Sequence, residues 1–210
     1  AREQSAFYVA GDVTTRLLGG CVSDGAGRDK NICGAGFAGL INGKVRLVLG
    51  ESSLVYSKRW GQRAQELGIN PNFLPDSPSA GSNYGFNVAA GGGDNKNNWE
   101  NTLYVKGMTQ LVIKQALVNF AYGGNFSGIL DGTSEADLAG GQVSQICGAG
   151  QTSYRIYGDS SLKISGGKVE TYAVAGGRLD RRLIGNLRTE ISGGEFDGQI
   201  AATFGANANH

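Results

Sequence analysis

The chain has 210 residues, enough for one domain with or without a sizeable insertion, and 19 basic and 18 acidic residues give a formal net charge of +1. That balance offers no electrostatic ground for a nucleic-acid or anionic-membrane partner, and no apolar run approaches the roughly 20 residues of a membrane span. Thirty-six glycines without a Gly-X-Y period exclude collagen, and with hydrophobic residues at 40% they indicate many tight turns around a core.

The chain starts at Ala1 rather than Met, which fits processing, a removed signal peptide or a piece of a longer protein. The first patterned segment, GDVTTRLLGGCV (11–22), alternates apolar and polar residues up to Gly19–Gly20. A Gly/Asp-rich loop then separates Cys21 from Cys33. With Cys147 there are three cysteines and no CxxC spacing, so neither a zinc site nor a redox motif is expected. The cysteines read either as buried small apolar side chains or, for Cys21 and Cys33, as a disulfide closing the loop.

SLVYSKRWGQRAQELGI (53–69) has helical composition and NPNFLPDSPSAGSNYG (70–85) reads as a Pro/Ser/Asn loop. The expectation is an insertion, or an adjoining helix and loop, at about 53–86 on one domain spanning 1–210, with Trp60 anchoring it. In AGGGDNKNNWEN (90–101), Asp94 among glycines and asparagines faintly suggests a calcium loop, but Lys96 stands where a carboxylate is wanted, so a polar turn is the simpler reading. Trp99 there suits either a sugar-stacking platform or a core residue. LYVKGMTQLVIKQALVNFAYGG (103–124) is strand-like, although 108–119 also resembles a helix. Asn125–Phe126–Ser127 matches a glycosylation sequon.

From here the chain repeats. A shift of 27 brings Gly158 onto Gly185, Ile164 onto Ile191, Gly166–Gly167 onto Gly193–Gly194, Val169 onto Phe196 and Ala173 onto Ile200. A shift of 26 sets AGGQVSQI (139–146) over SGGKVETY (165–172). Further matches link 11–22 to 158–169, and NICGAG (31–36) to QICGAG (145–150). The unit is Gly-Gly-x-Val/Phe between two alternating strands, at 19, 123, 140, 166 and 193. Within it Val169, Thr171 and Ala173 are expected inward, with Lys168, Glu170 and Tyr172 outward. A period in the twenties made of short strands and glycine corners predicts an all-β parallel β-helix with coils of about 26–27 residues. Its hand is expected to be right, from the preference of parallel crossovers. The register sets Lys163 beside Glu190 and Lys168 beside Glu195, opposite charges on neighbouring strands.

In these residues, chiefly 120–205 with an outlying match at 11–36, the chain resembles secreted or cell-surface bacterial β-helix proteins with ISGG-x-F/V-x-G repeats. Such repeats occur in adhesin-like and autotransporter-passenger sequences. The resemblance implies an extracellular or surface location and the same right-handed architecture. It carries over no catalytic residue, because the shared motif is structural.

The expected role is therefore structural or adhesive, with the chain itself as partner. A good repeat (185–200) is followed only by AATFGANANH. Continuation in a longer protein, a folded-back tail, or head-to-tail docking on another copy would each cover that coil, and docking, which does not close and so gives a filament, is the expected mechanism. The competing class is a carbohydrate-active enzyme or a glycan-binding module that takes surface glycans. Stacking places Glu170 near Asp197, two carboxylates that could serve as acid and nucleophile on a glycoside, hold a cation, or simply be solvated beside Lys168. Arg178, Arg181 and Arg182, with Arg188, could grip a carboxylated sugar or phosphate, or form a solvated loop. The only histidine is His210, which excludes a Ser-His-Asp or Cys-His nucleophile within the fold and any His-rich metal site. No cofactor is expected.

Overall fold

The computed structural model describes residues 8–22, 31–36, 39–57, 86–93, 103–178 and 183–202. Among them every regular element is a β-strand, and every strand pairing is parallel. The strands follow one another in six coils. The first holds β1 (Tyr8–Val9), β2 (Val13–Leu17), β3 (Gly20–Val22) and β4 (Asn31–Cys33), and the second β5 (Leu40–Leu49), β6 (Val55–Ser57) and β7 (Phe86–Ala90). The third holds β8 (Tyr104–Ile113) and β9 (Leu117–Tyr122), and the fourth β10 (Ser127–Leu138) and β11 (Gln142–Cys147). The fifth comprises β12 (Thr152–Tyr157), β13 (Ser160–Ile164) and β14 (Lys168–Val174). The sixth comprises β15 (Leu183–Ile184), β16 (Leu187–Ile191), β17 (Glu195–Phe196) and β18 (Gln199–Ala201). Nine strands form one sheet, seven a second, and β3 with β6 a short third. The chain is an all-β, parallel, solenoid-like stack.

Each coil has three straight runs. The first two belong to the nine-stranded sheet and meet at a glycine, where β5, β8 and β10 bend and where β12 gives way to β13. Gly11, Gly43, Gly107, Gly132, Gly158 and Gly185 stack at that corner, so that a Cβ on any of the last five would run into the backbone of the glycine one coil earlier. Three of them, Gly107, Gly132 and Gly158, also have φ of +137°, +151° and +154°, which L side chains rarely adopt. A single glycine is thus a steric requirement of this corner, repeated once per coil.

Along the second run Leu111 pairs with Ala136, Ala136 with Leu162, and Leu162 with Thr189, so successive coils differ by 25, 26 and 27 residues. Stacking of equivalent residues builds the core as columns. Leu49, Ile113, Leu138 and Ile164 form one, each 0% exposed, while Val118, Val143 and Val169 form another from the third run. Burying each such side chain favours folding by about 1.5–3 kcal/mol.

Opposite the second run lies another glycine corner, Gly34–Gly91–Gly123–Gly148, which approaches it closely: a Cβ on Gly148 would stand 2.7 Å from Ser161 O and 2.9 Å from Ser160 Oγ. The facing column is accordingly small and polar, with Thr109, Ser134 and Ser160 all buried. Gly123–Gly124 belongs to this corner and not, as the repeat suggested, with Gly140–Gly141 and Gly166–Gly167.

The strict alternation expected past the glycines also fails at one point. The register between β11 and β14 slips after Val143, so that Gln145 pairs with Tyr172 and Ile146 with Ala173. The extra residue leaves Thr171 exposed instead of inward, while Val169 and Ala173 keep their interior places.

Of the segment expected as an insertion, residues 58–85 lie outside the described residues, Trp60 among them. Its first residues continue the coil, since Val55–Ser57 pairs with Gly20–Val22, and Phe86–Ala90 resumes against β9. The helix-like stretch 108–119 is strand, divided between β8 and β9.

Candidate functional site

The third run places Glu170 and Asp197 on neighbouring coils. Val169 pairs with Phe196, and the Asp197 amide donates to the Val169 carbonyl at 3.0 Å. Glu170 accepts a hydrogen bond from the Gln142 side-chain amide of the preceding coil, and Lys168 Nζ lies 3.0 Å from Asp197 Oδ2. Burial, reinforced by the Asp197 charge, pushes the Glu170 carboxyl up to about 7. A carboxyl poised near neutrality beside a lysine-paired carboxylate has the electrostatic form of an acid and its charged companion. Lys168 is in backbone register with Glu195 as expected, yet its ion pair is with Asp197. Lys163 and Glu190 are likewise in register, and Glu190 pairs with Arg188 at 3.2 Å.

Arg178 is half-buried at the end of the fifth coil. Its guanidinium carbon stands 5.2 Å from the Phe120 ring centroid and its backbone amide donates to Gly150 O at 3.1 Å. Burial raises the phenol of the neighbouring Tyr122 above the ordinary range and that of Tyr172 to about 12, so both stay neutral. Arg181, Arg182, Asp94 and Trp99 lie outside the described residues. So does the Cys21 side chain, although Cys21 itself sits in β3 and the half-buried Cys33 in β4. Arg188 is exposed on β16, away from Arg178.

On the outer surface of the second run, small Ser161 stands in register between Glu135 and Arg188, leaving a shallow depression bordered also by Lys163 and Glu190. It lies on the nine-stranded sheet, whereas Glu170 is on the seven-stranded one, so the two polar groups do not form one site. Among the described residues no three His, Cys, Asp or Glu side chains converge to hold a metal, and no helix is long and apolar enough to cross a membrane.

Two features escaped the sequence reading. Asn125 is fully buried, its Oδ1 accepting from Gly93 N and its Nδ2 donating to Ile129 O, both at 3.1 Å, so the sequon asparagine is a corner brace in the folded chain. Asp12 and Asp159 each accept the backbone amide of the following coil, from Lys44 and Asn186, both at 2.7 Å. Their signal was present in the paired Gly-Asp dipeptides at 11–12 and 158–159. Compared with family models, curated proteins and solved structures, the chain matches none.

Proposed function

We propose that the chain is an extracellular structural or adhesive β-solenoid, right-handed in coil, that assembles head to tail into filaments. The carrying observation is the sixth coil. Ile191 is 40% exposed and Ile200 47%, although each continues a column whose members one coil earlier, Ile164 and Ala173, are 0% exposed. Apolar columns ending in water, at a strand edge, favour addition of a further coil. Docking the first coil of another copy there repeats the internal contact and does not close, so it propagates. The hand follows the general rule for parallel crossovers, and the surface location follows the resemblance to ISGG-repeat proteins.

The test is light scattering with negative-stain imaging over a concentration series. Unbranched fibres support the reading; a monomer throughout the micromolar to millimolar range overturns it. Replacing both terminal isoleucines, Ile191→Lys with Ile200→Lys, is expected to abolish fibres while the fold persists.

A second reading, a carbohydrate-active enzyme, is favoured by one observation, the raised carboxyl of Glu170 beside Asp197. Hydrolysis or lyase activity on a surface polysaccharide that disappears in the Glu170→Gln, Asp197→Asn variant would establish it. Glycan binding without chemistry would rest on Trp99, which lies outside the described residues.

A further inference from the structure

We infer that a second copy of this chain docks in one register, with its β2 laid along β16 and its Arg16 opposite Glu190. This rests on the filament reading and specifies the interface.

Column membership fixes the register. Val13 pairs with Val45, which continues through Thr109, Ser134 and Ser160 to Leu187. Continuing the same columns from the sixth coil into another first coil sets Leu187 against Val13, Arg188 against Thr14, Thr189 against Thr15, Glu190 against Arg16 and Ile191 against Leu17. Among the described residues β16 pairs only with β13 and β2 only with β5, so each strand has one edge open to this contact. Parallel strands at the usual spacing of about 4.8 Å would then continue the ladder.

Three chemistries agree with that register and not with a slip of one residue, which would turn every side chain to the wrong face. Two apolar pairs, Leu187–Val13 and Ile191–Leu17, extend interior columns. Glu190 and Arg16 are outward-facing opposite charges; Arg16 already holds Glu51, and its planar guanidinium has donors to spare for a second carboxylate. Asn186 occupies the place that Asp12 and Asp159 hold in their coils, where a side-chain oxygen accepts the amide of the following coil. In the docked pair Asn186 Oδ1 meets the Asp12 amide of the next copy. The corner glycines match as well, Gly11 falling on Gly185 and Gly20 on Gly194.

Cysteine cross-linking of the full chain tests the register. Arg16→Cys with Glu190→Cys, both at exposed positions, is expected to give under mild oxidation a ladder of covalent multimers on a reducing-agent-free gel. Arg16→Cys with Arg188→Cys, one outward column away, is expected to give little, and each single variant controls for the native cysteines. As a second measurement, Glu190→Lys is expected to raise the critical concentration by about two- to five-fold, the scale of an exposed ion pair. Fibres whose cross-links form equally in both cysteine pairs, or in neither, overturn this register while leaving the filament reading intact. A chain that stays monomeric overturns both.

Discussion

Glu170 and Asp197 sit on adjacent coils of the seven-stranded sheet, where Lys168 Nζ lies 3.0 Å from Asp197 Oδ2 and the Gln142 side-chain amide donates to Glu170. Lys168 relieves Asp197, and burial together with the Asp197 charge raises Glu170 to about 7. The folded pKa exceeds the ordinary value of 4.5, so the folded chain holds more protons between those limits. Its contribution to stability is complete below about 4.5 and is lost as pH rises through about 7. Melting curves at about pH 5 and 8 are expected to show a fall in Tm that Glu170→Gln reduces. An unchanged pH slope in that variant would show that Glu170 is solvated as an ordinary carboxylate.

The glycine corner makes a sharper prediction. A Cβ on Gly132 would overlap the carbonyl oxygen of Gly107, and the φ of +151° adds strain of its own. Both obstacles are backbone, which no side-chain rotation relieves. Gly132→Ala is expected to cost about 3 kcal/mol or more in urea unfolding. Gly36, whose Cβ position is open and whose φ is not in the left-handed range, serves as control, and Gly36→Ala is expected to be near neutral.

The interior column Leu138–Ile164–Ile191 supplies a matched pair of core substitutions. Leu138 is 0% exposed inside the stack, whereas Ile191, two coils on, is 40% exposed. Leu138→Ala is expected to lower stability by about 2–5 kcal/mol, and Ile191→Ala by under about 1.5 kcal/mol in the dilute monomer. The difference is expected to narrow as concentration rises, since docking buries Ile191. Equal costs in the monomer would mean that Ile191 is covered there already.

Much of this architecture was legible in the chain itself. The shift of 27 that aligned Ile164 with Ile191, Val169 with Phe196 and Ala173 with Ile200 is the actual strand register. The match between 11–22 and 158–169 is equally real, with Gly11 and Gly158 at one corner and Asp12 and Asp159 capping the next coil. What failed has a physical cause in each case. A one-residue bulge is silent in an alignment, which is why strict alternation points Thr171 inward. Two different corners use the same dipeptide, which is why Gly123–Gly124 aligns in sequence with Gly140–Gly141. In 103–124 the strand β8 passes through Gly107, and the apolar run Leu111–Val112–Ile113 carries no period-two signal; Val112 faces outward between Val48 and Asp137 and is still only 4% exposed. The pairing of Glu170 with Asp197 was readable from spacing, but the unequal compensation by Lys168 and Gln142 needed side-chain geometry.

Asn125 offers the last prediction. It is buried where the chain turns from the third coil into the fourth, and its amide spans Gly93 of the second coil and Ile129 of its own. The amide presents an acceptor and a donor on separate atoms, whereas an ionised carboxylate would face Ile129 O with a second acceptor. Asn125→Asp and Asn125→Ala are therefore both expected to destabilise, by about 1–3 kcal/mol for each buried group left unsatisfied. Asn125→Asp should improve on acidification, when its carboxyl gains a proton to donate to Ile129 O. Urea unfolding of both variants at about pH 5 and 8 separates the effects, because Asn125→Ala has no such proton to gain and should show no additional recovery. If the two variants respond alike to pH, the bond to Ile129 O is not what holds this corner.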